Sequence, residues 1–185
     1  MLQLLPVPLV RQAYPYSCGA AALLSVLYYY DRHQGPESSL YAALAMTESD
    51  GTQPERLVET ATSYGLTAEF RQNVTSAEVR SALHRDEPVI LDIQAWMDDP
   101  TSVRWLETWN EGHYVVAVGM DDQNVYLMDP SVVAAYGYIP LDEFMDRWHD
   151  EAIITGKRVR FYRSAIFLTG EKPAQTYPQA LQRVY

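Results

Sequence analysis

The chain has 185 residues, 48% hydrophobic and 21% charged, a composition that fits one globular domain with a sizeable core and excludes a disordered chain. Its 14 Lys and Arg against 24 Asp and Glu leave a net charge of -10, which argues against the basic stripes of a nucleic-acid or anionic-membrane binder. A single cysteine excludes an internal disulfide framework, and no apolar run reaches the roughly 18 residues that a membrane span needs.

Residues 1–10 are apolar but carry Pro6 and Pro8 and no basic residue before them, so they read as an extended segment entering the fold and not as a signal peptide. A cytoplasmic protein is the expectation. Ser17 to about Asp31 has the spacing of a helix that is apolar nearly all round, with Ser17 as N-cap, and is predicted to be central and buried. Gly35-Pro36 breaks it, and Glu37 to Met46 reads as a short second helix. A third begins at Thr52-Gln53-Pro54-Glu55 and stops at Gly65, and Leu66 to Arg71 reads as a short strand. Thr75-Ser76-Ala77-Glu78 has the capping-box pattern and opens a fourth helix to about Arg85.

Pro88 to Ala95, His113 to Met120, Asn124 to Met128 and Ser164 to Leu168 have the β-branched, apolar character of strands. Asp121 to Asn124 reads as a hairpin turn, which makes the strands on either side antiparallel neighbours. Pro140 to Asp150 is predicted as a helix carrying Phe144 and Trp148. The expected organisation is one α+β domain over residues 1–170, helices first and then an antiparallel sheet, with residues 171–185 as a C-terminal tail.

The lone cysteine lies where a turn-prone segment, Tyr14-Pro15-Tyr16-Ser17, meets the first helix. There Cys18 meets unpaired backbone N–H groups and the positive end of the helix dipole, which favour an anion and hence a nucleophilic thiolate. Gly19 leaves room for a substrate backbone, and the preceding turn presents N–H groups of the kind an oxyanion hole requires. His113 opens one strand and Asp129 ends its antiparallel partner, so both fall at one end of the sheet. A carboxylate there can orient the imidazole through its Nδ1–H. Gln12 can fold back across the Tyr-Pro turn to face the same oxyanion as the Cys18 N–H. The plain alternatives are a small buried cysteine, a core histidine, an Asp-Pro turn and a surface glutamine. His33, His84 and His149 read as solvated residues at helix ends, and no metal-ligand spacing or cofactor is predicted.

The ordered series Gln12…Ser17-Cys18-Gly19-Ala20-Ala21-Ala22-Leu23, Gly112-His113-Tyr114-Val115-Val116, Met128-Asp129-Pro130 and Leu141-Asp142-Glu143-Phe144…Trp148 resembles the papain-like double-glycine leader peptidases. These are the bacteriocin-processing domains often fused to export transporters. The likeness spans about residues 5 to 150 and implies a papain-like α+β fold. It implies Cys18 as nucleophile, His113 as general base and acid, Asp129 as its orienter and Gln12 as oxyanion donor. It also implies a peptide or precursor-protein substrate cut after small residues of the Gly-Gly type. Gly19, Trp109 and Gly112 are the candidate residues of the substrate groove.

Two features depart from the family. Ser17 stands where the family often has an acidic residue, and the stretch Trp96 to Gly112, with Trp105 and Trp109, is long and aromatic. That stretch can wall the groove, close as a lid over residues 97–112, or be a packing layer. With no P-loop or membrane span, a stand-alone form is expected. A transpeptidase or amidase using the same three residues, and a non-catalytic peptide-binding module, are the competing readings; the sequence leaves the oligomeric state open.

Overall fold

The computed structural model describes residues 4–97, 104–154 and 156–171; the predicted tail from 172 onward and part of the predicted lid lie outside them. Helix α1 (Cys18–Tyr29) is buried along almost its whole surface, as its unbroken apolar sequence predicts. A 3₁₀ turn (Glu37–Ser39) and the short α2 (Tyr41–Leu44) replace the predicted second helix, which ends where Ala45 adopts a left-handed φ of 48°. Helix α3 (Pro54–Ser63) starts on its proline and stops just before Gly65, whose φ of 82° suits a residue without Cβ.

Helix α4 (Ser76–His84) opens on the predicted capping box. Thr75 Oγ1 accepts from the Glu78 N–H at 3.2 Å, while the Glu78 carboxylate accepts from the Thr75 N–H at 2.8 Å. Thr75→Ala should cost about 1 kcal/mol of unfolding free energy in urea denaturation with no effect on the groove described below; an unchanged midpoint would contradict the cap.

Strands β1 (Thr67–Arg71), β2 (Val89–Gln94), β3 (Gly112–Met120), β4 (Asn124–Met128), β5 (Gly137–Pro140) and β8 (Ala165–Thr169) form one six-stranded antiparallel sheet in the order β1-β8-β2-β3-β4-β5. The predicted β3–β4 hairpin is present, closed by Asp121 Oδ1, which accepts from the N–H groups of Gln123 and Asn124. A register shift between Ala117 and Gly119 bends β3.

Beyond β5 the chain departs from the predicted pattern. Helix α5 spans only Leu141–Arg147, and its anticipated last turn belongs instead to β6 (His149–Ile154), which pairs with β7 (Lys157–Tyr162) as a separate two-stranded sheet. Trp148 is the pivot: its indole N–H donates to the Ser164 carbonyl at 2.8 Å and its own carbonyl accepts from the Arg163 N–H. That fixes the chain direction before a further helical turn can form. His149, predicted as solvated, is accordingly 5% exposed, with its Nε2 on the Thr108 carbonyl and its ring against Trp109.

Helix α1 packs across β3, flanked by α3, while β6 packs against β2 and β3. One continuous apolar core links α1 to the sheet. The nucleophile candidate on the helix thus lies beside the strand that carries His113 as its second residue.

Candidate active site

Cys18 is the first residue of α1. Ser17 caps by position only, since its hydroxyl turns back to donate to the Tyr14 carbonyl and accept from the Tyr14 N–H, each at 3.0 Å. The predicted side-chain cap is therefore absent, and the serine instead ties off the turn that delivers Cys18. The thiol is largely buried, and it lies close enough to His113 to affect the imidazole's protonation.

His113 and Asp129 meet as their shared sheet end predicts. His113 Nε2–H donates to Asp129 Oδ1 at 2.7 Å, with both side chains buried. The nitrogen differs from the expectation: Nε2 and not Nδ1 is held by the carboxylate. Nδ1 is left for the thiol. Asp129 also accepts from the Ser131 N–H at 2.8 Å and from the Trp96 indole N–H at 3.2 Å.

Burial opposes charging of His113, but the hydrogen bond to Asp129 and the adjacent Cys18 outweigh it and push its pKa up to about 9. Burial likewise opposes ionisation of Asp129, yet the bond to His113, with those from Ser131 and Trp96, holds its carboxyl below the usual range. The arrangement stabilises an imidazolium facing a sulfur.

Gln12 is placed differently from the expectation. Its side-chain N–H groups donate to the Tyr14 and Pro15 carbonyls at 2.9 and 3.1 Å, and its Oε1 accepts from the Ser131 hydroxyl at 3.2 Å. It joins the turn before Cys18 to the turn after Asp129 and does not lie free toward the thiol. Gly19 is also not open: a Cβ there would sit 3.1 Å from Thr52 Cβ and from the Tyr114 ring, so the glycine permits close packing of α1 on β3.

Trp109 and Gly112 do border a groove that reaches Cys18, a cavity of about 340 Å³. Trp109 stands edge-on to Tyr162 and beneath the Arg160 guanidinium, which makes it a packed wall. Three groups escaped the sequence analysis: Trp96 on Asp129, and Asp92 and Asp150 on the groove floor. An aspartate inside the apolar run Val89-Ile90-Leu91-Asp92-Ile93 was the available signal for the floor. Among the described residues, no three metal-ligating side chains gather, and no helix is long and apolar enough to cross a membrane.

The family model described as peptidase C39 matches residues 6–160. An uncharacterised protein of Methanothermobacter marburgensis is 34% identical over 125 residues, covering 67% of this chain and 72% of its own. Among solved structures, a double-glycine motif protease from an AMS/PCAT transporter, in complex with its leader peptide, superposes with a TM-score of 0.62 at 22% identity, over 89% of this chain and 92% of that one. The peptidase domain of Streptococcus ComA gives 0.64 at 20% identity over 89% and 99%. A C39-like peptidase from Bacillus anthracis gives 0.64 at 18% identity over 94% and 100%. The fold is theirs.

Proposed function

The chain belongs to the peptidase C39 family and is a cysteine peptidase, and we propose that it hydrolyses a peptide bond after small residues of the Gly-Gly type through Cys18, His113 and Asp129. The observation that carries this reading is the buried imidazole of His113, bound through Nε2 to Asp129 at 2.7 Å and adjacent to the chain's one thiol. The leader peptide bound to the AMS/PCAT protease supports an extended peptide as the substrate class.

In the proposed reaction the Cys18 thiolate attacks the scissile carbonyl carbon, and the carbonyl π electrons move onto oxygen. The Cys18 backbone N–H, an orphan donor of the first helical turn, points at that oxygen. The Gln12 amide adds a second donor by turning away from the Pro15 carbonyl when substrate enters. His113 gives its Nδ1 proton to the leaving amine as the C–N bond breaks, leaving a thioester. Water then loses a proton to the same nitrogen and attacks the thioester, releasing the acid and restoring the thiolate. Asp129 holds the ring throughout and keeps its imidazolium favoured. The lone, unpaired thiol fits a reducing cytoplasm.

The test is cleavage of a synthetic leader-type peptide containing Gly-Gly, with products mapped by mass spectrometry, before and after iodoacetamide. Cleavage after the second glycine, abolished by modification of Cys18, is expected. Modification that proceeds at neutral pH without loss of cleavage would overturn the assignment, and an amide product with an added amine would convert it to acyl transfer.

A further inference from the structure

The groove beside Cys18 has a floor that the reaction above does not use. Asp92 on β2 and Asp150 on β6 face each other there and share a hydrogen bond. Asp150 is also held by Gln94 Nε2 at 2.8 Å, and a Cβ at residue 112 would collide with its carboxylate. Asp92 is 5% exposed.

Burial and the neighbouring Asp150 carboxylate raise Asp92 well above the ordinary carboxylate value, while burial pushes Asp150 up to about 6, so the pair carries negative charge at pH 7.5. No described Arg or Lys pairs with that charge: Glu151 beside it is bridged by Arg158 at 3.4 Å and Arg160 at 3.2 Å, but Asp92 and Asp150 have no such partner.

The second observation is independent of charge. Thr52 Oγ1, Gln53 Oε1 and Asp92 Oδ1 are buried with no hydrogen-bond partner, and all three residues line this cavity. Thr52 is only 6% exposed. Each of these atoms can accept a hydrogen bond, and a buried acceptor left without a donor costs stability. A guest that brings several N–H donors and a positive charge, and no acceptor, answers both deficits. A glycine pair brings backbone N–H groups but no positive charge and no side chain to fill the volume.

We propose that this cavity is a subsite for a cationic group of the peptide substrate, an amine or guanidinium seated on Asp92 and Asp150 near the scissile bond. The subsite rests on the reading of Cys18 as the thiol facing that peptide. The cation comes from a Lys or Arg side chain flanking the small residues, or from a free N-terminus.

Irreversible reagents test it without requiring turnover. Acetyl-capped peptidyl chloromethyl ketones carry Lys or norleucine one, two or three residues before the reactive carbon, and chloroacetyl peptides carry them one or two residues after it. An uncapped norleucine series reports a free terminus. Second-order inactivation rates at pH 7.5 (about 1.5 units above the Asp150 value), each divided by the rate with a model thiol, are read by mass on Cys18. At one position Lys should exceed norleucine by about 10- to 100-fold, and Asp150→Asn should bring that ratio to within about 3-fold of unity. A preference confined to the uncapped series assigns the subsite to an N-terminus.

Wild-type ratios near unity in every series would overturn the subsite whatever the variants do. A strong Lys preference in a protein that cleaves no peptide would keep the subsite and sink hydrolysis instead.

Discussion

Cys18→Ala and His113→Ala each lower kcat for peptide hydrolysis by about 10⁴- to 10⁶-fold, and the double variant falls no further than the single ones. In the proposed mechanism the two side chains form one device. Without His113 the thiol loses the imidazolium beside it and the leaving amine loses its proton donor; without Cys18 the imidazole has no nucleophile to serve. Because either loss disables the same step, the second removes little that remains. Single-turnover assays of the three variants check this, together with iodoacetamide rates at pH 6. Alkylation of Cys18 should stay rapid there in the wild type and collapse in His113→Ala. A variant of either residue that kept more than about a tenth of wild-type kcat would remove the pair from the mechanism.

Asp129→Asn is expected to lower kcat by about 10²- to 10⁴-fold, and its clearest signature is in pH. In the wild type the carboxylate is the foremost influence raising His113 to about 9, against the burial that opposes charging. An asparagine keeps the burial and removes the charge, so the alkaline limb of kcat/KM should move from near 9 toward or below the ordinary imidazole value of 6.5. Stability follows with a defined sign. The folded value of His113 lies above its unfolded one, so its stabilisation is complete below about 6.5 and disappears as pH rises through about 9. Asp129 is held below its ordinary range, so its own contribution disappears only as acid protonates the folded carboxylate. Urea midpoints of wild type and Asp129→Asn should therefore differ most between pH 5 and 7 and converge near pH 10. A gap that widened with rising pH would contradict the ion pair.

Much of this site was legible in the residues. An apolar helix beginning at Cys18, and a hairpin whose turn is written in Asp121-Asp122-Gln123-Asn124, suffice to bring the ends of two strands near one helix start. What sequence could not give was which imidazole nitrogen meets the carboxylate, because that depends on side-chain torsions at His113. Nor could it give the path of the Gln12 amide, which is decided by carbonyls three residues along the chain. The β6–β7 hairpin beside the groove was missed for a different reason. In β6, Asp150 and Glu151 put charge where a strand pattern expects alternation, and Trp148 continues the helical spacing of Phe144. In β7 the alternation of Val159 and Phe161 with basic residues was present, but its partner strand was hidden. Asp150, Glu151 and Phe161 line the groove, where local preference yields to a cavity, whereas Trp148 belongs to the core.

The small β6–β7 sheet has a consequence for how such a protein diversifies. Bond breaking is assigned to residues of α1 and the large sheet, whereas Asp150 and Phe161 enter the groove from a separate hairpin joined to the rest through Trp148, Arg163 and a few contacts of β6. On the proposed reading, substitutions at groove-lining positions such as Glu151 and Ile153 alter which peptide is admitted while leaving the His113–Asp129 hydrogen bond in place, whereas Asp150 packs against Gly112 beside His113 and couples the hairpin to the strand that carries it.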